Sequence, residues 1–199
     1  MLISKNKLML VDALNKQAVA EFAKYIQLDE NKAVVVDQHS LIQIENKAPL
    51  PIDDMPQIPG MPEPCHPEKA MIAAKTAKQI LQALPKNPRL SVLKHALFAS
   101  DDTYMYFGAT DLDASQVITQ RRVEVDYPPY ADKIPQTEPK ATQHIPIDQL
   151  ITSLKTMQKC GAKVCRIEIR DTEDPIVLKA QNAEDEEITS LIMPLIVED

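Results

Sequence analysis

Two pairs of carboxylates, Asp101-Asp102 and Asp111-x-Asp113, are the residues in this chain best spaced to hold a divalent cation. Both pairs fall where hydrophobic runs break. Aspartate is favoured at such turns because its side chain bonds the backbone two residues on. Three cysteines, Cys65, Cys160 and Cys165, make an odd number, and four residues separate the last two. Cys65-His66 has no second pair to complete a tetrahedral zinc site. The three glycines, Gly60, Gly108 and Gly161, are too scattered for a phosphate loop, and no Ser/His/Asp arrangement stands out. The reading is no catalysis, no metal and no cofactor, which moves attention to surfaces.

The formal charge is −7, yet it is unevenly spread. Residues 68–89 carry five basic residues against one acidic, and 146–163 carry three against one. On a helical wheel Lys75 and Lys78 share one polar face, with Lys86 and Arg89 following. Lys155 and Lys159 share another, with Lys163 beyond. Solvated helix faces usually interleave glutamates with lysines, and these do not. Basic faces on an otherwise acidic body imply contact with a polyanion through phosphate. With no aromatic ring on either face, single-strand stacking has no support.

The elements that carry these faces repeat. Strand-like runs in 25–45 are broken by DEN and DQHS. A helix signal at 68–86 precedes three strand-like runs with DD and DLD turns. A third helix signal at 146–158 precedes three more, with DTED and NAEDEE. The turn anchors Asp37, Asp111 and Asn182 recur at a spacing near 70, too long for a solenoid and suited to a helix followed by three antiparallel strands. The first helix is weakly marked: LVDALNKQAVAEFAKY supplies it or runs in part as strand. The 68–86 wheel gathers Ala70, Ala73, Ala77, Ile80, Leu81 and Leu84 on its apolar arc. That of 146–158 gathers Leu150, Ile151, Leu154 and Met157. A loop at 48–67, with seven prolines, reads as a semi-rigid surface connector. The expected fold is α+β, with one two-unit domain over 1–135 and a further unit over 136–199. No apolar run reaches the ~18 residues of a membrane span, and the N-terminus lacks a leader pattern. The expected location is cytoplasmic.

Duplicated units with basic helices on an acidic body resemble the bacterial DNA sliding clamp, the beta subunit of DNA polymerase III. Its ATDL strand-turn signature stands at 109–112, and an eroded ATDGHRL-type segment stands in VVVDQHSLIQI. YPPYADKIP at 127–135 resembles its FPDY-and-proline corner, and LIMPLIVED its VMP-type ending. The resemblance implies the DNA-clamp fold and a pocket for short peptide motifs. Phe22, Val36, His39, Leu41, Pro128, Leu191, Met193 and Pro194 stand on the matching positions. Ser40 stands where the family favours Arg, and Lys133 where it favours an apolar residue, which implies an altered motif preference. Three units stand where a full protomer has six, as in a shortened form of the kind a phage or other mobile element would carry.

The implied function is that of a processivity factor holding a polymerase on duplex DNA. Its implied partners are a polymerase, clamp loader or repair proteins, and further copies of itself. The alternative is a clamp-like adaptor or decoy that binds replication proteins without encircling DNA. As a clamp, the chain should carry both clear helices on one face.

Overall fold

The computed structural model describes residues 1–15, 17–46, 50–67, 69–135, 137–139 and 141–195. The chain divides into two compact units, Met1–Ile134 and Pro135–Asp199.

The N-terminal unit holds two repeats. The first runs β1 (Leu2–Ser4), α1 (Lys5–Met9), β2 (Tyr25–Leu28), β3 (Lys32–Val36) and β4 (Leu41–Glu45). The second runs β5 (Ala70–Ala73), α2 (Ala74–Ala83), β6 (His95–Ser100), β7 (Tyr104–Thr110) and β8 (Ser115–Arg121). Each repeat therefore begins with a strand that the sequence reading did not anticipate. These leading strands are exchanged. β1 pairs antiparallel with β6 of the other repeat, Leu2 opposite Leu97, and β5 pairs with β2, Tyr25 opposite Ala73. The two sheets run β1-β6-β7-β8 and β4-β3-β2-β5, and neither repeat completes a sheet alone.

Ala70 and Ala73 accordingly belong to β5 and not to the helix face where the wheel put them. A buried strand is apolar on both faces, so AMIA offers no alternation to distinguish it from a helix start. The helix also ends at Ala83, before Lys86, because Pro85 and Pro88 bar its continuation. The first repeat's helix lies upstream of its expected place. Ser4 Oγ accepts the Lys7 N–H at 3.3 Å as an N-cap, and a 3-10 turn at Leu10–Ala13 continues α1.

The helices pack on one another, and Leu8, Val11, Ala77 and Ile80 join Phe98 and Phe107 in one shared core. Alanine on α2 lets the backbone lie close to the sheet. Lys7 is buried in this unit and its Nζ donates to the Asn31 carbonyl at 2.6 Å. Burial lowers its pKa, while Asp29 and Glu45 pull it back up. Lys7 thus anchors the β2–β3 turn and is withdrawn from the basic surface.

The proline-rich loop is more than a connector. Over 50–67 it lays Ile58 into a small separate core with Leu2 and Leu97, with Leu50, Met55 and Met61 around it. Gly108 of β7 leaves the room: a Cβ there would meet Ile58 Cδ1 at 2.8 Å. Ile58→Ala should lower the free energy of unfolding by about 2 kcal/mol, measured in urea. An unchanged midpoint would return the loop to the role of a tether.

The C-terminal unit holds one repeat: α3 (Ile147–Lys159), β9 (Cys165–Glu168), β10 (Ile176–Gln181) and β11 (Glu187–Ile192), with sheet order β11-β10-β9. Met157, Ile176, Leu178, Ala180 and Ile192 form its core. Gly161, at φ +88°, turns the chain out of α3, and the Ala162 N–H reaches back to the Met157 carbonyl at 3.1 Å. Of the expected apolar stripe only Met157 is fully buried; Ile151 and Leu154 are exposed.

The repeat is written into turn chemistry. Asp37 Oδ1 accepts the N–H groups of His39 and Ser40, Asp111 Oδ1 those of Asp113 and Ala114, and Asn182 Oδ1 those of Glu184 and Glu186. An Asp or Asn side chain capping the turn in this way closes the last hairpin of all three repeats, and the third turn is one residue longer.

Candidate functional site

The carboxylate pairs that opened the search are built into turns. Asp101 Oδ1 accepts the N–H groups of Thr103 and Tyr104, both at 2.7 Å, and its Oδ2 accepts the Tyr106 hydroxyl at 2.7 Å. The Tyr104 N–H, then that hydroxyl, hold its carboxyl below the usual range. In the ATDL segment Thr110 Oγ1 accepts the Leu112 N–H at 3.0 Å and donates to the Ala114 carbonyl at 2.9 Å. Together with Asp111 it holds Leu112 at φ +82°, a conformation disfavoured for a branched side chain. The signature is thus a device for closing a hairpin. Among the described residues no three His, Cys, Asp or Glu side chains converge as metal ligands.

The stretch after β8 forms an aromatic corner. The Tyr127 ring meets Phe22 edge-on at 6.0 Å and Tyr130 edge-on at 6.3 Å. Its hydroxyl accepts the Val36 N–H at 3.0 Å and donates to the Val34 carbonyl at 3.1 Å, at the end of β3 where pairing with β2 stops at Val34. Lys32 Nζ lies 5.6 Å from the centroid of the Tyr130 ring. Val36 pairs with Leu41 across the DQHS turn. Phe22, Val36, Leu41 and Pro128 are half-buried, and His39 is exposed in the turn itself. The structure sets Phe22 against the Tyr127 ring and the Val36 N–H on its hydroxyl, while Leu41 lies opposite Val36 and Pro128 follows Tyr127 in the chain. That ring, Tyr127, was named in the sequence only as part of the corner. Two prolines after a tyrosine are a signal for rigidity, and nothing in them reveals that the hydroxyl clamps a strand more than 90 residues away.

Burial pushes the Tyr127 hydroxyl up to about 12, against the pull of the Val36 N–H. In the unfolded chain tyrosine ionises near ~10. Its contribution to stability is therefore complete below pH ~10 and is lost as pH rises towards 12. Tyr127→Phe should cost about 1–2 kcal/mol at neutral pH by leaving a strand N–H and carbonyl without their partner. The same variant should show a shallower alkaline loss of stability in urea titrations above pH ~10. An identical alkaline slope in both proteins would assign that loss to other tyrosines.

Leu191, Met193 and Pro194 are carried by the other unit. Leu191 lies in β11 opposite Val177, and Met193 and Pro194 follow the strand. Leu191 and Met193 are largely exposed, whereas Ile192 between them is buried in the core. The alternation of a strand explains this, with Ile192 facing in and its neighbours out.

Lys75, Lys78, Lys86, Arg89, Lys155, Lys159 and Lys163 are all exposed. Lys75 and Lys78 lie on the outer face of α2, Lys155 and Lys159 on α3, and Lys86, Arg89 and Lys163 in the segments after these helices. Among the described residues none of the seven is engaged in an ion pair, whereas Lys32, Arg166, Arg170 and Lys179 are. Their charge is uncompensated at short range. No described helix is long and apolar enough to cross a membrane.

No family model matches the sequence, and no curated protein matches it. Solved structures do match the fold. The DNA polymerase sliding clamp from Pseudomonas aeruginosa superposes with a TM-score of 0.70 at 15% identity, over 98% of this chain and 50% of that one. Pol III beta from Caulobacter crescentus gives 0.63 at 14% identity, over 100% and 51%. The beta subunit from the DNA polymerase of Streptococcus pyogenes gives 0.61 at 12%, over 98% and 50%. The chain has the sliding-clamp fold and spans about half the length of each of these clamps.

Proposed function

We propose that this chain is a clamp-like processivity factor, holding a DNA polymerase on duplex DNA and docking partner proteins through short peptide motifs. The observation that carries the reading is the pairing of a clamp fold with helix faces whose cations have no carboxylate partner. In this reading the cations of α2 and of α3 meet duplex phosphates without reading bases. Phe22, Val36, His39, Leu41 and Pro128 supply one wall of a peptide cleft around Tyr127. Leu191, Met193 and Pro194 are the further residues that contact the peptide in this reading. The two-repeat domain over 1–135 and the single repeat over 136–199 would work in the cytoplasm, in several copies, with polymerase, loader or repair proteins as partners and no catalytic step.

Binding to duplex of random sequence should weaken linearly on a log–log plot against salt. Four or more phosphate contacts imply a slope of roughly −3.6 or steeper. A flat slope, or a strong dependence on sequence, would remove the basis of this reading. An adaptor or decoy that captures replication proteins without encircling DNA is favoured by the net charge of −7. It predicts peptide binding with no retention on circular DNA.

A further inference from the structure

The N-terminal unit shows what a repeat of this kind needs from its sibling. β2 and β6 each have a neighbour on both edges, and in each case one neighbour is the leading strand of the other repeat. α1 and α2 also pack on one another. The exchange is reciprocal, so each repeat gives and receives the same elements.

The described residues of the C-terminal unit hold one such repeat, a helix and three strands. Among the described residues β9, the counterpart of β2 and β6, pairs with β10 alone and leaves its outer edge open. On α3, Ile147, Ile151 and Leu154 form a stripe at i, i+4 and i+7 that is 37–73% exposed. Ile167 stands opposite Leu178, on the sheet face that α3 covers, yet it is 55% exposed while Leu178 is fully buried. Ile169, two residues on, is 49% exposed. A cleft of about 620 Å³, lined by Leu154, Met157, Val164 and Cys165, joins the helix to the strand. The residues ahead of α3 are already placed for exchange. The His144 carbonyl accepts the Leu195 N–H at 2.7 Å, which sets this segment beside the end of its own repeat. β5 sits beside β8 in the same way, through Gln120, whose side chain accepts the Ala73 N–H at 2.9 Å and donates to the Met71 carbonyl at 2.7 Å. β5 then offers its other edge to β2.

We infer that the C-terminal unit is half of a domain, completed by the C-terminal unit of a second copy of this chain. In the completed domain residues 143–145 of each copy pair with β9 of the other, and the two α3 helices pack along their Ile147–Ile151–Leu154 stripes. Two identical repeats can do this about a twofold axis because the exchange in the N-terminal unit is already reciprocal. The five exposed side chains present on the order of 500 Å² per copy, and the open strand edge adds to it, approaching the roughly 800 Å² per partner of a stable interface. The inference rests on the repeat architecture alone and stands whether or not the chain rides DNA.

Sedimentation equilibrium of the full chain tests it. At about 10 µM wild type should sediment as a dimer, at twice its 22.3 kDa. Ile151→Asp and Ile167→Glu, separately, should each weaken the dimer at least ~100-fold, since a carboxylate would be buried without a partner. Both sites are exposed in the single chain, so the variants should keep the wild-type circular dichroism of the diluted protein. Backbone amides of Arg166–Glu168 should exchange slowly in concentrated wild type and quickly in dilute protein or in either variant. A monomeric wild type at about 100 µM, a dimer that both variants leave intact, or β9 amides that exchange equally fast at all concentrations would each overturn the inference.

Discussion

Replacing Lys75, Lys78 and Lys155 together by Glu should abolish retention of the protein on circular duplex DNA. Each lysine that neutralises a phosphate releases condensed counterions, and the loss of three such contacts costs on the order of a hundredfold in affinity near ~0.15 M salt. Reversal adds repulsion to that loss. The fold should be indifferent, because all three side chains are exposed and none is ion-paired among the described residues. Circular and linear templates separate two modes of binding. A protein that encircles DNA stays on a closed circle and runs off a free end, whereas a protein bound to the outside leaves both at one rate. Retention of the triple variant equal to that of wild type would reduce the basic faces to ordinary solvated helix surface.

The elements of this fold differ in how far the sequence discloses them. Hairpins were legible because their chemistry is local: Asp37, Asp111 and Asn182 each bond to N–H groups two to four residues on. That locality is also why the period near 70 could be read from turn residues alone. The helix over 146–158 was legible because its apolar spacing is strong and Gly161 ends it. Strand exchange was not legible. Leu2 finds its partner at Leu97 and Ala73 at Tyr25, and no pattern within β1 or β5 encodes so distant a neighbour. Lysine 7 misleads for another reason. Its type predicts surface, and only the assembled core shows that its four-carbon stem is buried and its ammonium spent on the Asn31 carbonyl. The aromatic corner was half legible. YPPY announces a rigid bend with rings, but the hydroxyl that ties Tyr127 to β3 depends on tertiary placement.

The proposed peptide site gives the second large effect. Tyr127 is held by the rings of Phe22 and Tyr130 and by two backbone bonds to Val36 and Val34, with Leu41 opposite Val36. A wall so fixed loses little freedom when a ligand arrives, which favours affinity. If Leu191 and Met193 contact the same ligand, as proposed, two or three apolar side chains of an extended peptide are taken up. Burying ~250–350 Å² of ligand apolar surface contributes on the order of 6–9 kcal/mol before ordering costs. Subtracting the peptide's lost freedom leaves an affinity in the micromolar range. Met193→Ala should weaken a polymerase-type clamp-binding peptide about 5- to 30-fold, the loss of one well-packed anchor contact. It should leave the unfolding midpoint alone, because Met193 is 62% exposed. Leu41→Asp should remove binding altogether, since a carboxylate would face an apolar ligand with nothing to pair it. Leu41 also pairs with Val36 at the end of a hairpin, so its variant needs a folded control, and the tyrosine corner supplies one through near-ultraviolet circular dichroism. Titration calorimetry of wild type and both variants against one peptide decides the matter. Equal affinities for all three would place the ligand elsewhere, and no binding to wild type would leave Phe22, Leu41 and Met193 as packing at the edges of two units.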